Sequence, residues 1–210
     1  MPAERRRMTR AESQQRTREE VLDAAEELFF ELGFHATTVA KIAEAAGRTQ
    51  GAIYANFSSK ENLCAEVLLR CYMRTFAELI AKVAESGGPF DAQLESLADW
   101  FKHLVAAEGL VALAAEYALA VHKNSEQLAV SIGHIEMGRN MLGTVLATAL
   151  PFSVDQTSKD IAVNAILATG TGLALGRTLG AIDDEQLVDL LIRTIRLWAT
   201  DFERGDATKA

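Results

Sequence analysis

Cysteine and proline are both scarce, with two and three copies in 210 residues. Cys64 and Cys71 lie seven positions apart in one helical segment. At about 1.5 Å of rise per residue they stand roughly 10 Å apart, too far to bridge without breaking the helix. That excludes a disulfide framework and fits two small apolar core residues of a reduced protein, a redox pair being the alternative. No Asn-Gly or Asp-Gly turn separates alternating apolar runs, so hairpins find no support. Long apolar runs are missing too: Ile161 to Ile182 is interrupted by Asn164 and Arg177, which leaves a buried helix rather than a membrane span of about 20 residues. The basic start is followed by Glu19 and Glu20 and by no apolar region, so a secretory leader is not supported and a cytoplasmic protein is expected. Gly-x-Ser-x-Gly, Gly-x-x-x-x-Gly-Lys and His-Glu-x-x-His are absent, and the histidines lack metal-site spacing. An enzyme, a metal site and a cofactor are therefore not expected.

What is present is apolar residues at three- and four-residue spacing along most of the chain, which predicts an all-α protein. Val21, Leu22, Ala25, Leu28, Phe29 and Leu32 mark a helix from about 14 to 32, ended by Gly33, with Phe34 packing back onto it and His35 in the connecting loop. Thr38 then caps a short helix with Val39, Ile42, Ala43 and Ala46 on one face, and Gly47 stops it. A second short helix restarts at once, with Ile53 and Phe57 turned inward. Helix, glycine turn and helix make a helix-turn-helix. Ser59, with Asn62 three positions on, caps a long helix to about Glu85 that links two domains, and Gly87-Gly88-Pro89 ends it. Five more helices are predicted at about 90–107, 110–122, 125–150, 157–179 and 183–202, which makes nine, with a frayed polar tail from Arg204.

The net charge of −8 is unevenly spread. Arg5, Arg6, Arg7, Arg10, Arg16 and Arg18 against Glu4 and Glu12 give the first 18 residues +4, which leaves −12 for the remainder. A basic arm on an acidic body suggests that nucleic acid meets one end only, a solvated tail without a partner being the alternative. Near the other end, Ala162, Ala165, Ala168, Gly170, Gly172, Ala174 and Gly176 lower helix propensity but let another backbone come close. Leu187, Leu191, Ile195, Trp198 and Phe202 form a broad stripe on the last helix. The two helices read as a dimerising pair, with core packing inside one chain as the alternative.

The order Ala-Ala-Glu-Glu-Leu-Phe, Gly33-Phe34, Thr37-Thr38, Ile42-Ala43, Ala46-Gly47, Tyr54, Asn56-Phe57 and Ser59-Lys60-Glu61 resembles the TetR family of bacterial transcriptional regulators over roughly residues 16 to 63. The resemblance implies a basic flexible arm (1–14), a three-helix DNA-binding domain (15–62), a ligand-binding and dimerisation domain (63–204) and a tail (205–210). It implies a cytoplasmic homodimer, at the nucleoid when DNA-bound, that represses from a palindromic DNA operator and is released by a small-molecule effector. An adaptor of the same fold acting through a protein partner is the alternative. By position, Thr38, Tyr54 and Lys60 would grip phosphates, and Thr49, Gln50, Gly51, Ala52, Ala55 and Asn56 would face the major groove. The dimer interface would include Gly172, Gly176, Leu187, Leu191, Ile195 and Trp198. Trp100, His103, Tyr117, His134, Met137 and Met141 would line the ligand cavity.

Arg48 departs from the family pattern, which has a small apolar residue after the turn glycine. It either contacts DNA or bridges to an acidic neighbour. If it reads a guanine, Arg48→Ala relaxes specificity at one operator position at a cost of about 1–3 kcal/mol, measured across single-base operator variants; uniform weakening across sequences marks a phosphate contact instead.

Overall fold

Thr9 opens the first helix with a reciprocal cap: its hydroxyl accepts from the Glu12 amide (3.2 Å) and the Glu12 carboxylate accepts from the Thr9 amide (2.7 Å). The computed structural model describes residues 9–86, 89–106, 109–149 and 155–207. Among these residues it contains nine helices and no strand: α1 Arg10–Ala36, α2 Val39–Ala45, α3 Gln50–Tyr54, α4 Lys60–Ser86, α5 Phe90–Ala106, α6 Leu110–Val121, α7 Ser125–Ala149, α8 Gln156–Thr178 and α9 Asp184–Ala207. The all-α, nine-helix expectation is met. Two ends differ from it. Residues 10–14, expected in a flexible arm, are helical because the Thr9–Glu12 cap satisfies the amides there. The stretch from Arg204, expected to fray, continues α9 to Ala207. Residues 1–8 of the arm, Gly87-Gly88, Glu108, the Pro151 loop and residues 208–210 lie outside the described residues, as does the side chain of His103. No helix among the described residues is long and apolar enough to cross a membrane.

Two apolar clusters organise the chain. The first gathers Val21, Ala25, Phe29 and Phe34 of α1 with Ile42, Ile53, Phe57 and the first half of α4, and it also takes in Leu110, Leu113, Tyr117 and Val121 of α6. The second joins the far half of α4 to α5, α7, α8 and α9. So α4 runs through both cores, as a linking helix should, and α6 belongs to the N-terminal one. Ion pairs fasten α1 along α4: Arg70 meets Asp23 (2.7 Å) and Glu26 (2.8 Å), and Arg74 meets Glu26 (2.8 Å). Burial works to raise the Glu26 pKa, but the hydrogen bonds from Arg74 and Arg70 outweigh it and hold the carboxyl below its ordinary value. Cys64 and Cys71 are buried in the first cluster, and burial pushes the Cys71 thiol up to about 11 and Cys64 higher still. Both are core thiols, as the sequence suggested, and burial keeps them un-ionised.

The break in α1 falls at Gly33, whose φ of 78° and ψ of 173° lie in a region open essentially to glycine. Phe34 then folds back so that its ring stacks on Phe29 at 6.1 Å between centroids. A Cβ built on Gly33 meets both carboxylate oxygens of Glu116 at 2.8 Å. Gly33→Ala is therefore expected to lower stability by about 1–3 kcal/mol through backbone strain and the displaced carboxylate. Chemical denaturation against a Gly51→Ala control, where the nearest neighbour is 3.8 Å away, measures it.

Candidate nucleic-acid interface

The turn between α2 and α3 is built from backbone hydrogen bonds. Gly47 takes φ 61°, its amide donates to the Glu44 carbonyl (3.1 Å), and the Arg48 amide donates to the Ala43 carbonyl (2.8 Å). This pairing closes α2 around a left-handed glycine. Thr49 then starts α3, its hydroxyl accepting from the Ala52 amide at 3.2 Å. Only two residues separate the cap of one helix from the cap of the next, so the angle between α2 and α3 is fixed by caps at both ends.

Ile53 and Phe57 are each 1% exposed and pin α3 to the core. The rest of the helix faces outward: Thr49, Gln50, Gly51, Tyr54 and Ala55 are exposed, and Ala52 and Asn56 half-exposed. Thr38 is exposed at the start of α2, where its hydroxyl accepts from the Lys41 amide (3.2 Å). The structure thus brings eight of the ten sequence-predicted residues to the outer edge formed by α2 and α3 with side chains free of long-range partners or turned locally. Asn56 is of the second kind: its side-chain amide donates to the Ala52 carbonyl (2.8 Å).

The other two are held from within. Lys60 turns inward, its ammonium donating to the carbonyls of Phe34 (2.9 Å) and Thr37 (3.2 Å) and lying 4.1 Å from the centre of the Phe34 ring. Two of its three donors cap the end of α1. Arg48 is paired with Glu20 of α1: Nε donates to Oε2 at 3.0 Å and Nη2 makes a second contact with the same oxygen. Hydrogen bonds from Arg48 and then Arg16 hold the Glu20 carboxyl below the usual carboxylate range. Of the two roles open to Arg48, the acidic bridge is the one seen in the free protein. Sequence reasoning missed Glu20; its spacing of four from Arg16 was legible, but the link to Arg48, 28 residues on, was not. Arg18 is a further unexpected tie, donating to the Asn56 carbonyl (3.0 Å), pairing with Glu66 and lying 4.5 Å from the Phe57 ring centre.

Of the expected ligand-lining residues, Trp100 and Tyr117 lie in different apolar clusters. Trp100 is buried in the second cluster and donates to the Thr75 carbonyl (3.1 Å). Tyr117 is buried in the first, edge-on to Phe34 at 5.9 Å, its hydroxyl donating to Gln127 at 3.1 Å. His134 packs edge-on to Tyr72 at 6.1 Å, and burial lowers its pKa. Met137 and Met141 are half-buried on α7. Two open grooves, of about 830 and 660 Å³, lie along α9, and Trp100, Tyr117, His134, Met137 and Met141 are not among the described residues that line them. Among the described residues, no group of three or more His, Cys, Asp or Glu is placed to hold a metal ion.

The expected dimer stripe also needs correcting. Leu187, Leu191 and Ile195 are 1%, 4% and 2% exposed and belong to the second core, so the α9 stripe closes the chain on itself. Gly176 sits 3.7 Å, by its would-be Cβ, from Ile182 of the same chain, and Trp198 is half-buried. Only Gly172 of the six is exposed with no neighbour within 4 Å.

Residues 21–67 match the family model described as bacterial regulatory proteins, tetR family. The chain is 41% identical over 80 residues to the HTH-type transcriptional repressor KstR2 of Rhodococcus jostii, covering 38% of this chain and 39% of that one. It is likewise 41% identical over 85 residues to the HTH-type transcriptional regulator TtgR of Pseudomonas putida, covering 40% and 39%. The matched stretch spans about two fifths of these relatives' length. Among solved structures, the fold resembles a putative transcriptional regulator from Rhodococcus sp. RHA1 with a TM-score of 0.73 at 20% identity over 85% of this chain and 94% of that one. It also resembles the fatty acid degradation regulator FadR of Bacillus halodurans, with a TM-score of 0.64 at 21% identity over 86% and 97%.

Because Thr49 supplies the cap that starts so short a helix as α3, Thr49→Ala is expected to cost about 1 kcal/mol of stability and Thr49→Ser much less. Thermal unfolding of the two variants makes the comparison.

Proposed function

We propose that this chain, whose residues 21–67 form a TetR-family domain, is a ligand-responsive transcriptional regulator, acting as a repressor on a palindromic DNA operator. The observation that carries the reading is the α3 face: two fully buried anchors, Ile53 and Phe57, hold a five-residue helix whose remaining side chains stand outward. Gln50 has the donor and acceptor pair that suits an adenine edge, Ala52 or Ala55 can meet a thymine methyl, and Gly51 lets the backbone come close. Thr38 and Tyr54, the latter 53% exposed, flank that face where phosphates pass. Lys60 acts chiefly by setting the end of α1, with one remaining donor for a phosphate.

A homodimer places two such faces about 34 Å apart, one turn of DNA. A small molecule in the body that favours a different spacing shifts the population away from the DNA-binding arrangement. The dimer face we propose is the one left uncovered: Ile161, Ala168, Gly172, Leu175 and Leu179 fall on one side of α8, and Leu190 with Leu197 on one side of α9. Leu179 and Leu197 are 75% and 72% exposed, much apolar surface to leave in water. Gly172 and Ala168 let a partner helix approach between these leucines.

The purified protein is expected to run as a dimer and to select an inverted repeat from random DNA. The double substitution of Leu179 and Leu197 to aspartate is expected to give a folded monomer with operator affinity reduced at least tenfold, by sedimentation and fluorescence anisotropy. An unsubstituted protein that is monomeric and selects no repeat points to the adaptor instead.

A further inference from the structure

Glu20 is shared by two arginines from different parts of the DNA-facing end. Its Oε1 accepts from Arg16 Nε at 2.9 Å, one turn away on α1, and its Oε2 accepts from Arg48 Nε at 3.0 Å and from Arg48 Nη2. Arg48 stands immediately before the cap of α3, on the lip of the outward face. An anion whose two oxygens are each taken by a separate guanidinium, half-open to solvent, has the coordination that arginines give a phosphate. Resting on the DNA-binding reading above, we propose that Glu20 is an internal stand-in for a DNA phosphate, occupying Arg48 in the free protein and surrendering it to the backbone of bound DNA.

A plain strut between α1 and the turn would account for the geometry, but the fold has no need of one. Ile53 and Phe57 already fix α3 in the core, and Arg18 ties α1 to the Asn56 carbonyl. A half-exposed ion pair adds little to stability beside these. Its effect on charge is larger. Arg16, Arg48 and Glu20 sum to +1 beside the recognition helix, and without the carboxylate they would sum to +2. Glu20 therefore lowers attraction to any duplex regardless of sequence, and leaves base contacts along α3 a greater share of the choice between sites. The exchange is available because the pair is open: Glu20 keeps Arg16 when Arg48 turns to a phosphate, so no charge is stranded.

The test is Glu20→Gln in the full chain, with binding to a random-sequence duplex of about 30 base pairs followed by fluorescence anisotropy across a salt series. Affinity at low salt is expected to rise about tenfold, and the slope of log K against log salt to steepen by about one, the release of one further counterion. In an Arg48→Ala background the same substitution is expected to lose most of that gain. Unchanged or weaker binding with an unchanged slope overturns the proposal. So does a full gain in the Arg48→Ala background, which makes Glu20 a bare charge acting at a distance. If neither the unsubstituted protein nor Glu20→Gln binds any duplex at low salt, the DNA-binding reading itself falls and this one with it.

Discussion

Phe34 is the point on which the structure turns. Its ring is 3% exposed and lies against Phe29 of the same helix and edge-on to Tyr117 of α6, with the Lys60 ammonium 4.1 Å from its centre. Its amide donates to the Glu116 carboxylate at 2.7 Å and its carbonyl accepts from Lys60 at 2.9 Å. One residue therefore joins α1, α4 and α6 through its ring, its N–H and its C=O. Gly33 makes this possible, because a positive φ there breaks α1 and frees both the Phe34 amide and the Gly33 carbonyl from the helix ladder. The Thr37 hydroxyl takes up that carbonyl at 2.8 Å. Both of these groups thus find side-chain partners, which is the condition for placing such a break in a core.

The consequence is mechanical. A helix-turn-helix unit that folded on its own could tilt freely on its linker. Here α6 supplies four residues to its core and a carboxylate to the helix break at Gly33. Tyr117 extends the connection to α7 through Gln127, and α4 carries it to the second core, where Trp100 is tied to the Thr75 carbonyl. Any molecule that favours a displaced α6 must either carry α1 with it or strip Phe34 of its hydrogen-bond partner in a dry site, which is costly. Coupling between the body and the helix-turn-helix unit follows from shared packing and requires no separate relay.

Much of this was legible in the sequence because it is local. Caps and glycines set helix ends, so Thr38, Gly47 and Ser59 marked their boundaries closely, and the four-residue spacing identified Ile53 and Phe57 as anchors. What escaped is long-range. Glu116 is 82 residues from Phe34 and Glu20 is 28 from Arg48, and a lone glutamate on a helix carries no sign of such a partner. The dimer stripe failed for a related reason. A helix with apolar residues on two sides, Leu187-Leu191-Ile195 and Leu190-Leu197, does not announce which side its own chain will cover. The broader stripe went to the core, since it fills the space against α5 and α8, and the narrower one was left outside.

Charge completes the picture. Residues 19–210 sum to −12 and would repel a duplex, whereas the first 18, at +4, would attract one. On the DNA-binding reading proposed above, such an asymmetry orients the protein before contact, with the end that carries Arg16, Arg18 and Arg48 leading. Yet several cations at that end are already engaged with the protein itself: Lys41 with the Ala36 carbonyl, Arg18 with Glu66 and Asn56, Lys60 with Phe34 and Thr37, and Arg48 with Glu20. A surface of this kind gains little from meeting an arbitrary duplex, because contacts replace existing partners and do not simply add to them. On the DNA-binding reading proposed above, discrimination rests on the short polar row of α3, where Gln50 and Thr49 stand outward with no long-range side-chain partner. On that reading an acidic protein can bind one site without being held by every other duplex it meets.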